Sequence, residues 1–464
     1  MKLRNIITAL IITGPILLAS CKKQIELVDP QGLPPAEAVA NEANIKKTLQ
    51  GGYDAMSSSN MYGGNAMLFA DLAASNGELF WAGTFNTYRE IWGKTILTTN
   101  PLIANTWSAG YRAINIANTV LSSIDKVTSS TTEKDRVKGE ALFIRGAMHF
   151  ELVRFYAKDF TDGNPVSNLG VPLATKAINT IPEITTPARN TVQTVYDAVI
   201  ADLIEAENLL PRTNGIYATK SAAAAILSRV YLQKADYPGA RDASNRAITN
   251  ATGKSLLPNF MDNFNQAVNI AEDIFTIQVS DQDGSNNLQL FYSVDIFGAR
   301  DGDIEIEPLH FALYQANDLR RNSTSNPGAT TQFNTAFYTK YGASRTTKWR
   351  DLYKNVKVIR LAEMYLTRAE ANTRLNAIIG DPPLNDINRL RTRAGLPASI
   401  IVPTIQEIYL ERRRELAFEG FGLHDARRFK RSLDGRQWND NRLVFPIPFR
   451  EMNANSNLTQ NPGY

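Results

Sequence analysis

VIRLAEMYLTRAEA, residues 358–371, is the stretch from which the fold can be read. Ile359, Ala362, Leu366 and Ala369 recur at three- and four-residue spacing, which predicts one apolar helix face. Ala362, Ala369 and Ala371 are small enough for another helix to approach closely, leaving Glu363, Arg368 and Glu370 for solvent or for ion pairs. A break at 380–383, GDPP, precedes a second amphipathic segment, LNDINRLRTRAG (384–395), with Leu384, Ile387 and Leu390 on its apolar side and Gly395 as the expected C-cap. Beyond Pro397 and Pro403 a third helix is predicted over 405–431, dense in both signs of charge.

The same periodicity extends toward the N-terminus. Residues 36–56 read as an amphipathic helix closed by Gly51-Gly52 or by Gly63-Gly64. Residues 106–125 turn Trp107, Tyr111, Ile114, Asn118 and Leu121 inward, and 139–157 answer with Ala141, Ile144, Met148, Leu152 and Phe155 on one stripe. A further helix spans 191–210, and its partner begins at Thr219. In the segment that follows, Leu227, Ser228, Tyr231, Ala240 and Ala247 stand at the offsets of a tetratricopeptide helix pair, and Leu361, Ala362 and Tyr365 repeat the first half of that pattern. The spacing between pairs is irregular. The fold class is therefore mainly α, a degenerate tetratricopeptide-like helical-pair scaffold with large irregular insertions containing short β segments.

Two stretches interrupt the helices. The first, ASNGELFWAGTFNTYREIW (74–92), crowds Phe80, Trp81, Phe85, Tyr88 and Trp92 among Asn76, Gly83, Asn86, Thr87 and Arg89. Aromatics beside Gly, Asn and Thr without periodicity suit flat faces held by a loop, as stacking on a sugar or a peptide requires. A packed-core reading competes. It is preferred for Trp92, beside Ile91 and the β-like run KTILTT, whereas Trp81, with Asn86 and Tyr88 near it, is assigned to a ligand. The second stretch, 250–357, carries the β-like run DIFTIQVS, polar loops and the aromatics Phe291, Tyr292, Phe297, Tyr314 and Trp349.

Composition restricts the chemistry. Lys+Arg 50 against Asp+Glu 46 leaves a formal net charge of +4 with the signs mixed, so nothing points to nucleic acid. The basic runs at 412–414 and 427–431 alternate with Glu411, Glu415, Glu419 and Asp425, the pattern of a solvated or internally paired face. The three histidines, His149, His310 and His424, form no metalloprotease motif, and no nucleophile elbow, Walker loop or dinucleotide fingerprint occurs. Asp281 and Asp283 resemble the start of a calcium loop, but Tyr292 stands where its bidentate Glu belongs. No metal or cofactor is called for. A paired-carboxylate glycosidase stays open, because folding brings such groups together.

The N-terminus reads as an export signal. Lys2 and Arg4 precede an apolar run, Ile6 to Leu18, too short for a membrane span, and Leu18-Ala19-Ser20-Cys21 resembles the bacterial lipobox. Cys21 is the only cysteine, so no intramolecular disulfide can form. Residues 1–20 are read as signal peptide, 21–35 as tether, and 36–464 as one domain with an N-terminal part (36–215) and a C-terminal part (216–464) that holds the 250–357 insertion.

The motifs VIRLAEMYLTRAEA, NRLRTRAG, ERRRELAFEG…HDARRFKR and the terminal PIPFREMNANSNLTQNPGY occur in the order found in the SusD/RagB family of outer-membrane nutrient-binding lipoproteins, which this chain resembles. The resemblance implies a non-enzymatic glycan-binding lipoprotein, held on the outer membrane through lipid on Cys21, that delivers oligosaccharide to a SusC-like TonB-dependent transporter. A peptide ligand, as on the RagB side of the family, and a surface glycoside hydrolase are the alternatives. Ligand contacts in the family come from the N-terminal aromatic stretch and the insertion, so Tyr292 and Phe297 join Trp81, Asn86 and Tyr88 as candidates. Cys21→Ser is expected to abolish incorporation of labelled fatty acid, as read by metabolic labelling, and label persisting in the variant would refute the lipobox.

Overall fold

The structure, a computed structural model, describes residues 35–284, 286–324 and 335–464. Cys21, the signal segment and the tether up to residue 34 lie outside the described residues. Helices Glu42–Ser57, Pro101–Ser122, Thr131–Tyr156, Val192–Leu209, Lys220–Gln233, Tyr237–Asn250, Leu361–Leu375 and Pro383–Arg393 form a stack in which each packs on the next. The starts of five of them follow from side-chain caps: Asn100, Ser130, Thr191, Thr219 and Asp236 each accept a backbone N–H of the first turn. Among the described residues no helix is long and apolar enough to cross a membrane.

The tetratricopeptide reading places its residues correctly. Ala240, Ala243 and Ala247 are fully buried against the preceding helix, as are Leu227 and Ser228. The Tyr231 ring lies directly on Gly239, where an added Cβ would come within 2.7 Å of it. In the C-terminal half, Ala362, Leu366 and Ala369 form a cluster with Ile387, Leu390, Ile408 and Leu416.

Four local expectations are corrected. The first residues of the 358–371 stretch are not helical, because Val356–Arg360 is a strand paired antiparallel with Asp273–Ile277 and the helix starts only at Leu361. The β-branched residues Val356, Val358 and Ile359 favour that strand, which is buried on both faces. The helix expected over 36–56 starts at Glu42 and runs to Ser57, so neither Gly51-Gly52 nor Gly63-Gly64 closes it, and Gly52 is the point where Ile144 of a neighbouring helix approaches. The 405–431 segment is two helices, Ile405–Glu415 and Gly422–Arg428, separated by positive φ at Phe418 and Gly420. A side chain at Gly420 would strike Met67, so the break lets the chain lie against helix Asn65–Ala73. The run KTILTT forms turns, not a strand.

Strands are β1 Leu79–Trp81, β2 Asp273–Ile277, β3 Ile304–Ile306, β4 Ser323–Thr324, β5 Phe337–Lys340, β6 Ala343–Thr346 and β7 Val356–Arg360. β2 and β7 pair alone; the others form a sheet in the order β1-β3-β6-β5-β4. In register, Leu79, Phe80 and Trp81 face Ile306, Glu305 and Ile304, so the aromatic stretch and the insertion share one sheet.

Most of the charges on the C-terminal helices point inward. Glu363 pairs with Arg229, Arg368 with Asp386, and Glu370 with Arg374 and Arg428, all of these acids buried. At the centre Glu415 binds Arg393, Arg360 at 3.1 Å and Arg320 at 3.2 Å, while Arg360 also reaches Glu272 at 2.7 Å and Glu419 at 2.8 Å. Burial by itself would raise the Glu415 carboxyl, but Arg393, Arg360, Arg320 and Lys348 outweigh it and hold the group below the usual carboxylate range. A carboxyl depressed in the folded state stabilises it above the unfolded value, and that stability is lost as pH falls. Melting temperature is therefore expected to drop below about pH 4. Glu415→Gln should cost roughly 3–5 kcal/mol at neutral pH, because three buried guanidinium groups lose a shared anion. Thermal melts of both proteins across pH check this, the variant showing the shallower acid slope.

Candidate ligand-binding site

In β1 the side chains alternate, Leu79 inward, Phe80 outward and Trp81 inward. Trp81 is 0% exposed and stacks on Tyr88 with ring centroids 5.1 Å apart, and Phe291 packs on both at 5.6 and 4.4 Å. The Tyr88 hydroxyl donates to Asn65 Oδ1 at 2.9 Å, and burial raises its pKa. Tyr292 is equally buried, its hydroxyl 3.3 Å from Asp71. The expectation of exposed ring faces at Trp81, Tyr88 and Tyr292 is thus corrected. Strand parity sends Trp81 to the side of Leu79, and Tyr88 lies on the inner face of helix Asn86–Trp92. Trp92, read as core, is partly buried, and its indole N–H donates to the Leu79 carbonyl.

This aromatic stack carries a loop. Gly83 sits so close to Trp81 and Asp303 that an added Cβ would come within 2.7 Å of both, and the Ala82 N–H donates to the Asp303 carbonyl. The next residues reach solvent. Phe85 is 44% exposed, with its ring set edge-on to Phe291 at 6.2 Å. Arg300, from the insertion, lies over it 4.3 Å from the centroid and donates to Asp303 at 2.7 Å and to Thr84 Oγ1 at 3.3 Å. Arg89 donates to the Gly83 carbonyl at 2.7 Å, and Asn86 is exposed beside Phe85.

Of the sequence candidates, Asn86 thus stands at an open aromatic surface. Phe297 is half-buried elsewhere on the insertion, edge-on to Tyr338 at 5.9 Å and beneath Arg350 at 5.2 Å. Phe85 and Arg300 were missed. Phe85 occupies the N-cap position of helix Asn86–Trp92, and a residue there stands outside the helix's buried face, a signal the sequence does carry. Nothing in the sequence places Arg300 on Phe85.

Chemically, the surface offers a phenyl face for C–H groups, with a guanidinium, a hydroxyl and an amide to meet polar groups at its edge. The histidines lie elsewhere: His149 contacts the Arg145 carbonyl and accepts the Ala174 N–H, His310 sits between Glu78 and Tyr314, and His424 is buried edge-on to Phe155. Asp283 caps its own turn by accepting the Ser280 N–H and hydroxyl, and among the described residues no three His, Cys, Asp or Glu side chains gather as a metal site.

Residues 29–232 match a family described as starch-binding and associating with the outer membrane, and residues 309–444 match the SusD family. The chain is 27% identical to SusD-like protein P2 of Formosa agariphila over 93% of this chain and 94% of that protein. It is 34% identical to the starch-binding protein SusD of Bacteroides thetaiotaomicron over 24% of this chain and 22% of that protein. A SusD superfamily structure from the same Bacteroides species superposes with a TM-score of 0.75 at 24% identity, covering 91% of this chain and 100% of that one.

Because Trp81 supports the loop from beneath, Trp81→Ala is expected to cost roughly 3–5 kcal/mol of folding stability. Thermal or urea unfolding measures it; an unchanged midpoint would mean that the stack is dispensable.

Proposed function

Because this chain belongs to the SusD/RagB family, we propose that it captures an oligosaccharide at the outer membrane and passes it to a SusC-like TonB-dependent transporter, with lipid on Cys21 as its anchor. One observation carries the assignment of the site: the pairing of β1 with β3 brings the N-terminal aromatic loop and the insertion together around exposed Phe85. A pyranose ring laid on the free face of Phe85 would place its hydroxyls within the reach of Asn86, Thr84, Arg89 and Arg300. Binding needs no general acid or base, and none of these five residues supplies one.

Phe85 is partly exposed, so truncating it removes contact area without opening a core cavity. Phe85→Ala is expected to weaken oligosaccharide binding by about 1–2 kcal/mol, the scale of an interface anchor, with no measurable change in melting. Calorimetric titration with glycans identified on a glycan and peptide array reads the affinity, and chromatography of the same mixtures reads chain length. Binding of peptides alone would replace the glycan by a peptide ligand. Shortened glycan products would replace the binding protein by a hydrolase.

A further inference from the structure

A separate cavity of about 290 Å³ lies where helix Asn65–Ala73 and the segment after it meet helices Ile405–Glu415 and Gly422–Arg428. Neither Phe85 nor Arg300 lines it. Its walls are mixed: Leu79, Leu410, Leu416, Phe418, Phe421 and Leu433 form an apolar part, and polar and charged side chains the rest. The volume is at the small end for a ligand pocket.

Around the cavity Glu78 and Asp425 are paired with basic side chains, whereas Arg431 and Asp71 have no partner of opposite charge among the described residues. Glu78 is held by Arg413 and by His310 at 3.2 Å. Asp425 is held by Arg412 at 2.9 Å and Arg428 at 2.8 Å. Arg431, exposed at the rim, donates to Gln406 and lies over the Tyr409 ring. Asp71 is only 6% exposed, its carboxylate accepts the Gly420 N–H at 3.1 Å and the Tyr292 hydroxyl at 3.3 Å, and among the described residues no basic side chain pairs with it. A buried carboxylate without a cation is costly. Burial, with Glu419 nearby, accordingly pushes this carboxyl up to about 7 despite the hydrogen bonds that favour its ionised form.

We propose that this cavity binds a small organic cation, an ammonium group on an apolar body, with Asp71 as its counter-ion. The apolar part of the walls accepts the body, and the ammonium supplies the positive charge that the protein leaves out beside Asp71. This site is independent of the glycan reading. Binding requires the carboxylate, so it strengthens as pH rises through the Asp71 value and fades below it. Glu78 keeps Arg413 and Asp425 keeps Arg412 over that range, burial lowers His310 so that it stays neutral, and Tyr292 stays neutral because burial raises its hydroxyl.

The test uses two probes of one shape, 2-phenylethylamine and 2-phenylethanol, titrated calorimetrically into the full chain. At about pH 8 the amine should bind at least ~10-fold more tightly than the alcohol, and the difference should shrink as pH falls below about 7. Asp71→Asn should remove the preference for the amine while its thermal melt reports whether the variant is folded. Equal affinities, a preference insensitive to pH, or no binding of either probe would overturn the proposal on the unmodified protein alone.

Discussion

The carboxylate of Glu415 is the point on which the architecture turns. It belongs to the third C-terminal helix, yet its partners come from three other places: Arg393 from the end of helix Pro383–Arg393, Arg360 from β7 and Arg320 from the insertion. Removing such charges from water costs several kcal/mol each, and only simultaneous pairing repays it. The network therefore tolerates few arrangements. An insertion that would otherwise float is tied to the C-terminal helices at a buried position, through Arg320 with Glu411 and through Lys348 with Glu419.

What the sequence disclosed follows from which forces are local. Helix periodicity, capping residues and the small positions of the repeat are local signals, and Ala240, Ala247, Leu366 and Leu390 lie where the pattern puts them. The mixed charge of 405–431 read as a solvated or an internally paired face, and its burial stayed hidden, since the partners Glu78, Arg320 and Glu370 are distant in sequence. The Val356–Arg360 strand was hidden for the same reason: its apolar residues fit a helix face as well as a strand until Asp273–Ile277 is laid beside them.

The site shows the limit more sharply. The aromatic stretch was found, and its meeting with the insertion was expected only from the family resemblance, but which rings are exposed was misassigned. Trp81 and Tyr88 lie inside and stack on each other, and Phe85 is left at the surface. Composition could not distinguish the ring that supports from the ring that is offered. Strand parity and helix face decide it, and both depend on pairing with residues more distant than any local window.

The pairing of β1 with β3 has a consequence for how the protein is made. Helix pairs depend on contacts between neighbours in sequence and can form as the chain is delivered, whereas β1 must wait for Ile304–Ile306, and the connection between them must close at an entropic cost. The helices up to Tyr237–Asn250 can thus be in place while the Phe85 surface is still missing. A chain arrested at that stage would hold six of the eight stacked helices and yet lack the surface proposed to bind glycan, so maturation of this protein is better followed by formation of the β1–β3 pair than by helix content.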